Sequence, residues 1–261
     1  MKSILLTILV IPLFVFVTLA QTSSELISEA KKIIYQGDIH FDEGLYLKGR
    51  GLFERVLSSE PENFLAKYYL AYTDYKLSIY FMSKKEQIQF DRFVKSGIET
   101  CKELLSKNNE DAETKALLGG IYGIQIANEP NLGQVIGPQS NALLFEAVEL
   151  APDNPRVLVL AGINKLNTPE FFGGSKTKAL EYFKKAVNLF ENSGAVNSDG
   201  IEWGHLYALG WLGKTFLKMK DYDSAYRTFN KALSIEPEYS WIKYNLLSKL
   251  KEKMSTQTQD N

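Results

Sequence analysis

Apolar residues recur at steps of three and four along most of the chain, and short polar clusters interrupt them at intervals. In LGKTFLKMKDYDSAYRTFNKALSIEP, residues 212–237, Ala225, Phe229 and Ala232 fall on one helical face, because positions three and four apart are neighbours on a helix surface. Lys220, Asp221 and Asp223 interrupt the pattern just ahead of that face. The spacing predicts a helix, a tight turn and a second antiparallel helix. Gly213 and Ala225 allow close approach at the crossing, and Pro237 ends the second helix. Such a hairpin cannot bury both faces by itself, so it should recur.

The same register appears in GDIHFDEGLYLKGRGLFERVLSSEP, through Gly37, Gly49, Phe53, Val56 and Pro61. Three looser copies lie between. Residues 118–152 hold Leu118, Gly119 and Tyr122, then Ser140, Leu144, Ala147 and Pro152, with NEPNLGQVIGP read as an insertion between the helices. Residues 153–191 follow, with Pro155 suited to a first helical turn, the insertion NTPEFFGGS, and Ala179, Phe183 and Ala186 on the second helix. In residues 64–107, Leu70 and Ala71 precede Val94, Ile98 and Cys101. The segment 238–253 places Trp241, Tyr244, Leu247 and Leu250 at helical spacing, and Lys249, Lys251 and Lys253 suit the negative end of a helix dipole.

This spacing resembles the tetratricopeptide repeat (TPR), whose units are helix-turn-helix with small residues at the crossings and a terminal proline. The resemblance implies an all-α fold, an α-solenoid of roughly five TPR-like helix-turn-helix units with a C-terminal capping helix. The repeat domain is expected over residues 21–254, with a disordered tail at 255–261. Small residues expected at helix crossings are Gly37, Gly49, Gly119, Ala147, Ala179, Gly213, Ala225 and Ala232.

The first twenty residues, MKSILLTILVIPLFVFVTLA, carry a lysine at position 2, an uncharged apolar run and small residues before Gln21. That is the layout of a secretory signal peptide cleaved after Ala20; a retained anchor is the competing reading. An exported chain is therefore expected, periplasmic or extracellular. Cys101 is the single cysteine, so packing rather than an internal disulfide must hold the protein together. It reads as a buried apolar residue. The formal charge of −1 offers nothing to nucleic acid.

Candidate chemistry is sparse. His40 and His205 are the two histidines, placed in the first and last units of a solenoid whose ends are not expected to meet, so no His/Cys metal site and no cofactor are expected. No serine elbow or phosphate loop is present. The glycines at Gly119, Gly120 and 204–213 lie inside amphipathic helices with no preceding strand. Carboxylates at Asp38 and Asp42, or Glu110, Asp111 and Glu113, read as solvated helix surface and helix start. The chain is read as a non-enzyme.

Binding is expected instead. In the resembled family the first helix of each unit lines a concave face that receives peptides or partner helices. Transferred to this chain by position, the inward-facing residues are Asp38 and Phe41, Tyr68, Tyr72 and Tyr75, Ile163 and Leu166, and Tyr207, Lys214 and Leu217. Of these, Phe41, Tyr68, Tyr72, Tyr75, Tyr207 and Lys214 are the candidate partner-contact residues. Aromatic rings with a polar tip suit partner contact, and packing between repeats is the alternative use for them. Lys214 and Lys218 alone approach the basic pattern that grips a C-terminal carboxylate, so an aromatic, weakly charged groove is expected. Phe171 and Phe172, with Gly173 and Gly174, are expected to fold back over their hairpin, with Ser175 as an N-cap. That turn is similar to one in the soluble helical component (T-component) of tripartite transporters. The similarity implies a second reading, a ligand-carrying accessory of an envelope transporter complex, beside that of a protein-binding scaffold.

Overall fold

The structure, a computed structural model, describes residues 21–192 and 200–259. The expected signal peptide lies outside the described residues. Helices begin where short polar side chains can satisfy the free N–H groups of a first turn. Thr22 and Glu25 form a reciprocal capping box at the start of α1 (Ser23–His40). Asp42 caps α2 (Glu43–Ser59) and Asn63 caps α3 (Phe64–Lys84), which pairs with α4 (Gln87–Lys107). Asp111 caps α5 (Ala112–Asn128), which pairs with α6 (Gly133–Leu150). Asn154 caps α7 (Pro155–Asn167), with the proline in the first turn. The Ser175 hydroxyl accepts from the Lys178 N–H at 3.2 Å ahead of α8 (Lys176–Asn192). Then come α9 (His205–Lys218), and α10 (Tyr222–Ile235) capped by Asp221. The chain closes with a π-helical turn, Trp241–Leu246, running into α11 (Leu247–Gln259).

Each odd-numbered helix from α1 to α9 packs most extensively on the helix that follows it, and the hairpins stack in chain order. The result is an all-α solenoid of five helix pairs and a cap among the described residues. At the crossings, a Cβ added to Gly213 would be driven into the Phe229 ring. One added to Gly37 would meet Tyr46 at 2.9 Å, and one added to Gly119 would meet Leu144 at 2.7 Å. Ala147, Ala179, Ala225 and Ala232 are wholly buried, as is Cys101. Burial pushes the Cys101 thiol pKa far up, so it stays a neutral core group.

Four expectations are corrected. The stretch NEPNLGQVIGP is largely helical: a 3-10 turn, Pro130–Leu132, leads directly into α6. Residues 255–259 continue α11 rather than forming part of a disordered tail. The cap buries Ile242, Leu246 and Leu250, while Tyr244 is exposed, because the π-helical turn and the loop at Tyr239 set a different face inward. Phe171 and Phe172 do not fold back: they stack edge to face on each other and Phe171 is 91% exposed.

The ends of the solenoid also meet, against expectation. Ile39 of α1 is buried in the same core as Leu209 of α9, Phe229 of α10 and Tyr239. The Tyr35 hydroxyl reaches Glu236 at 3.5 Å.

Candidate functional site

The inner side is built on α3. Tyr68, Tyr72 and Tyr75 recur at four and three residues on one face, and all three are at most 1% exposed. Buried hydroxyls need partners, and each has one. Tyr68 donates to Glu113 at 2.9 Å, Tyr72 donates to Asp38 at 2.7 Å, and Tyr75 shares a 3.1 Å hydrogen bond with the Tyr207 hydroxyl. Burial pushes all three phenols well above their ordinary pKa of 10, so they remain neutral donors.

Carboxylates anchor these hydroxyls. Asp38 also accepts from Tyr46 at 2.8 Å and pairs with Lys76 at 2.9 Å. Glu113 accepts from Arg156 Nε at 2.7 Å and from the Asn154 side chain at 2.8 Å. The Arg156–Glu113 pair is almost wholly buried, 1% and 7% exposed. Such a pair holds best with good geometry and further hydrogen bonds on its remaining atoms; Tyr68 and Asn154 supply these to Glu113, whereas Arg156 Nη1 is buried without a hydrogen-bond partner.

The chain itself covers these tyrosines. Residues 200–204, without helix or strand, cross the inner face between Gly200 (φ 74°) and Gly204 (φ 128°), backbone angles that favour glycine. Trp203 stacks on Tyr72 with centroids 4.6 Å apart and donates from Nε1 to the Tyr68 hydroxyl at 3.1 Å. The Glu202 N–H donates to the Tyr69 hydroxyl at 2.8 Å. Lys31 pairs with the Glu202 carboxylate at 2.6 Å and donates to the Gly200 carbonyl at 2.9 Å. Ile201 is buried in the same core. This segment is bound as a peptide would be: backbone groups on fixed polar partners, alternate side chains in pockets.

Toward the C-terminal end the inner face changes character. Tyr207, Trp211, Lys214 and Lys218 lie four, three and four residues apart on α9. The rings of Tyr207 and Trp211 close on Trp241 at 5.7 and 5.5 Å. Lys214 Nζ stands 4.0 Å from the centre of the Trp211 ring, a cation–π contact. Loss of hydration, with Lys218 and Lys249 nearby, lowers the Lys214 pKa from 10.5 to about 8. Lys218 is lowered likewise, by burial and by Lys176.

The candidate contact residues thus fall into three settings. Tyr68, Tyr72 and Tyr75 do line the inner side, but the open groove expected over them is corrected: residues 200–204 fill it. Phe41 ends α1 in a left-handed conformation (φ 53°) and packs on Tyr80 at 5.2 Å, at the turn edge. Tyr207 and Lys214 sit half-buried on the inner face of the last hairpin. The expectation of weak charge fails there, since Lys249 from the cap joins the two lysines of α9. Sequence reasoning also missed Glu113 and Arg156, because a carboxylate in the first turn of a helix looks like a dipole partner. It missed Trp203 as well, which belongs to no repeat. Among the described residues, no group of His, Cys, Asp and Glu is placed to hold a metal ion, and no helix is long and apolar enough to cross a membrane.

The fold defines a class, an α-solenoid of TPR-like hairpins. Residues 206–239 match the tetratricopeptide repeat family. The whole-chain likeness is to solved structures. One is a thermophilic TPR protein from Thermus thermophilus, at 19% identity and a TM-score of 0.63, covering 88% of this chain and 99% of that one. Another is the haemophore HusA from Porphyromonas gingivalis, at 23% identity and a TM-score of 0.63, covering 76% of this chain and 94% of the other. At these identities the likeness is one of fold. No curated protein sequence matches the chain.

Proposed function

We propose that this protein is a non-enzymatic scaffold of the cell envelope, exported by its first twenty residues, that binds a partner protein through the inner face of its repeats. The observation that carries the reading is the seating of residues 200–204. The tyrosine rungs, Lys31 and the Trp203 pocket together hold an extended segment by backbone hydrogen bonds, ring stacking and a salt bridge. A partner segment of similar chemistry takes the place of residues 200–204, so Tyr68, Tyr72 and Tyr75 become contact residues when that segment leaves. The match to the tetratricopeptide repeat supports this use of the face.

The test uses two proteins, the parent and a Trp203→Ala, Glu202→Gln double variant, each titrated with the peptide acetyl-Gly-Ile-Glu-Trp-Gly-amide. The variant is expected to bind the peptide and the parent to bind it at least tenfold more weakly. Capture from envelope extract of the source cell is expected to follow the same order. If neither protein binds the peptide, and capture does not respond to loosening the segment, residues 200–204 are merely core and the reading fails.

A further inference from the structure

Consecutive helices pack on each other through turns and so run antiparallel, which sets the turns within the five hairpins along one edge of the solenoid and the turns between hairpins along the other. Contacts between neighbouring tips fix the first edge. Phe41 packs on Tyr80 at 5.2 Å, the Asn128 side chain donates to Gln87 at 3.1 Å, Gln87 donates to Glu129 at 3.3 Å, and Lys218 donates to Asn167 at 3.3 Å. Exposed apolar side chains stand at four successive tips along it: Ile88 (85% exposed), Val135, the pair Phe171 and Phe172, and Met219. The opposite edge is acidic, with Glu60, Glu62, Glu110, Asp111, Glu236 and Glu238 in its described turns and Lys107 beside them.

The tip of the fourth hairpin holds its rings outward. The N–H groups of Phe172 and Gly174 both donate to the Pro169 carbonyl, at 2.9 and 3.1 Å, and the Ser175 N–H donates to the Lys165 carbonyl at 2.8 Å. Gly173 takes φ 88°, and a Cβ on Gly174 would collide with the Thr168 carbonyl, so the tight turn requires both glycines. Phe171 and Phe172 therefore project as an edge-to-face pair. Ammonium groups surround their base. Lys165 donates to the Gly173 carbonyl at 3.0 Å, Lys176 opens α8, and Lys218 and Lys220 flank Met219 on the adjoining fifth tip. The carboxylates in these two turns are Glu170 and Asp221, and Asp221 is engaged in capping α10.

We propose that this edge docks the protein on an anionic phospholipid bilayer, Phe171 and Phe172 entering the interface while Lys165, Lys176, Lys218 and Lys220 meet the headgroups. Exposed apolar patches rimmed by polar residues mark such contact sites, and peripheral attachment grows with buried apolar area and with attraction to anionic lipid. A convex tip, apolar at its end and cationic at its base, matches the order of chemistry met on entering such a bilayer. A protein pocket would call for the rings alone. The contact is with the surface, since no helix among the described residues is long and apolar enough to cross a membrane. The acidic edge then points away from the negative surface, which orients the solenoid. Residues 200–204 take no part, so the proposal stands apart from the peptide reading.

The experiment uses the chain from Gln21, where the described structure begins, and measures co-sedimentation with vesicles of phosphatidylcholine alone or mixed with phosphatidylglycerol. Binding to the mixed vesicles is expected to be at least about tenfold tighter than to the neutral ones and to weaken as salt is raised. The double change Phe171→Ser, Phe172→Ser is expected to weaken it about tenfold or more, with an unchanged helical spectrum because both side chains are exposed. Lys176→Gln with Lys220→Gln is expected to weaken it severalfold and to flatten the salt dependence. Phe145→Ser, exposed on α6 nearer the opposite edge, is expected to leave it unaltered. Equal binding to neutral and anionic vesicles would overturn the proposal, as would equal binding by the parent and the double serine variant. Absence of vesicle binding would overturn it too, and crosslinking from Phe171 into a single envelope protein would then make the tip a plug for a protein pocket.

Discussion

The two ends of the inner face use the same kinds of residue to opposite effect. Near α3, lysine, arginine and aromatic side chains meet carboxylates, and the tyrosine hydroxyls are spent within the molecule: Lys31 with Glu202, Lys76 with Asp38, Arg156 with Glu113. Near α9, lysines meet rings and one another. The first arrangement is that of an interior, in which a buried charge survives because its counter-charge is buried with it. In the second, partly desolvated ammonium groups stand over a ring and beside one another. The lesson is that aromatic content alone does not distinguish a groove from a core; the state of the polar groups beside the rings does.

This contrast can be broken most forcefully at Arg156. Arg156→Met leaves the Glu113 carboxylate buried without its cation, and stability in denaturant is expected to fall by about 3–5 kcal/mol; a small change would mean that water reaches Glu113. Gly213→Leu, at the crossing under the lysine cluster, drives a side chain into Phe229 and is expected to cost about 1–3 kcal/mol or more. An unchanged Tm would mean that the last hairpin does not pack as described. Lys31→Met and Lys214→Met then set the two ends side by side. The former gives up a partly exposed ion pair, a loss of up to about 1 kcal/mol, whereas the latter relieves repulsion and is expected to hold or raise Tm.

The smallest effect is one of pH. Lys214 titrates near pH 8 in the folded protein and near 10.5 when unfolded. Between those values the unfolded chain binds more protons, so this residue's contribution to stability rises with pH there. The buried phenols act in the other direction: their folded pKa values are raised, so their contribution is intact below pH 10 and is lost above it. Comparison of parent with Lys214→Met by thermal unfolding is expected to show the gap between them narrowing from pH 7.5 to 9.5. A gap that stays constant over that range would show that Lys214 is ordinarily hydrated.

The hairpins were legible in the sequence because their signals are local: three-and-four spacing, polar interruptions and small residues at the crossings; the Asp42, Asn63, Asn154 and Asp221 caps emerged only in the structure. The site was less so. That Tyr68, Tyr72 and Tyr75 share a face follows from spacing, but whether the face is open depends on residues 200–204, which lie outside every repeat and more than a hundred residues away. Glu113 and Arg156, 43 positions apart, carry no pattern that joins them. Lys249 belongs to the cap, and its approach to Lys214 depends on how the π-helical turn at 241–246 redirects the chain.

Contact between the first and last hairpins has a consequence for how the chain reaches its native state. An open repeat array folds from any point and grows by neighbours, each unit needing only the one beside it. Here Ile39 must wait for Leu209, Phe229 and Tyr239, and Lys31 for Glu202. The closing contacts span most of the chain and carry the loop-closure cost of such separation. The first helix therefore cannot complete its packing on a ribosome until the last repeat has emerged. Unfolding should correspondingly occur as one transition, with loss of the C-terminal cap felt at the N-terminus.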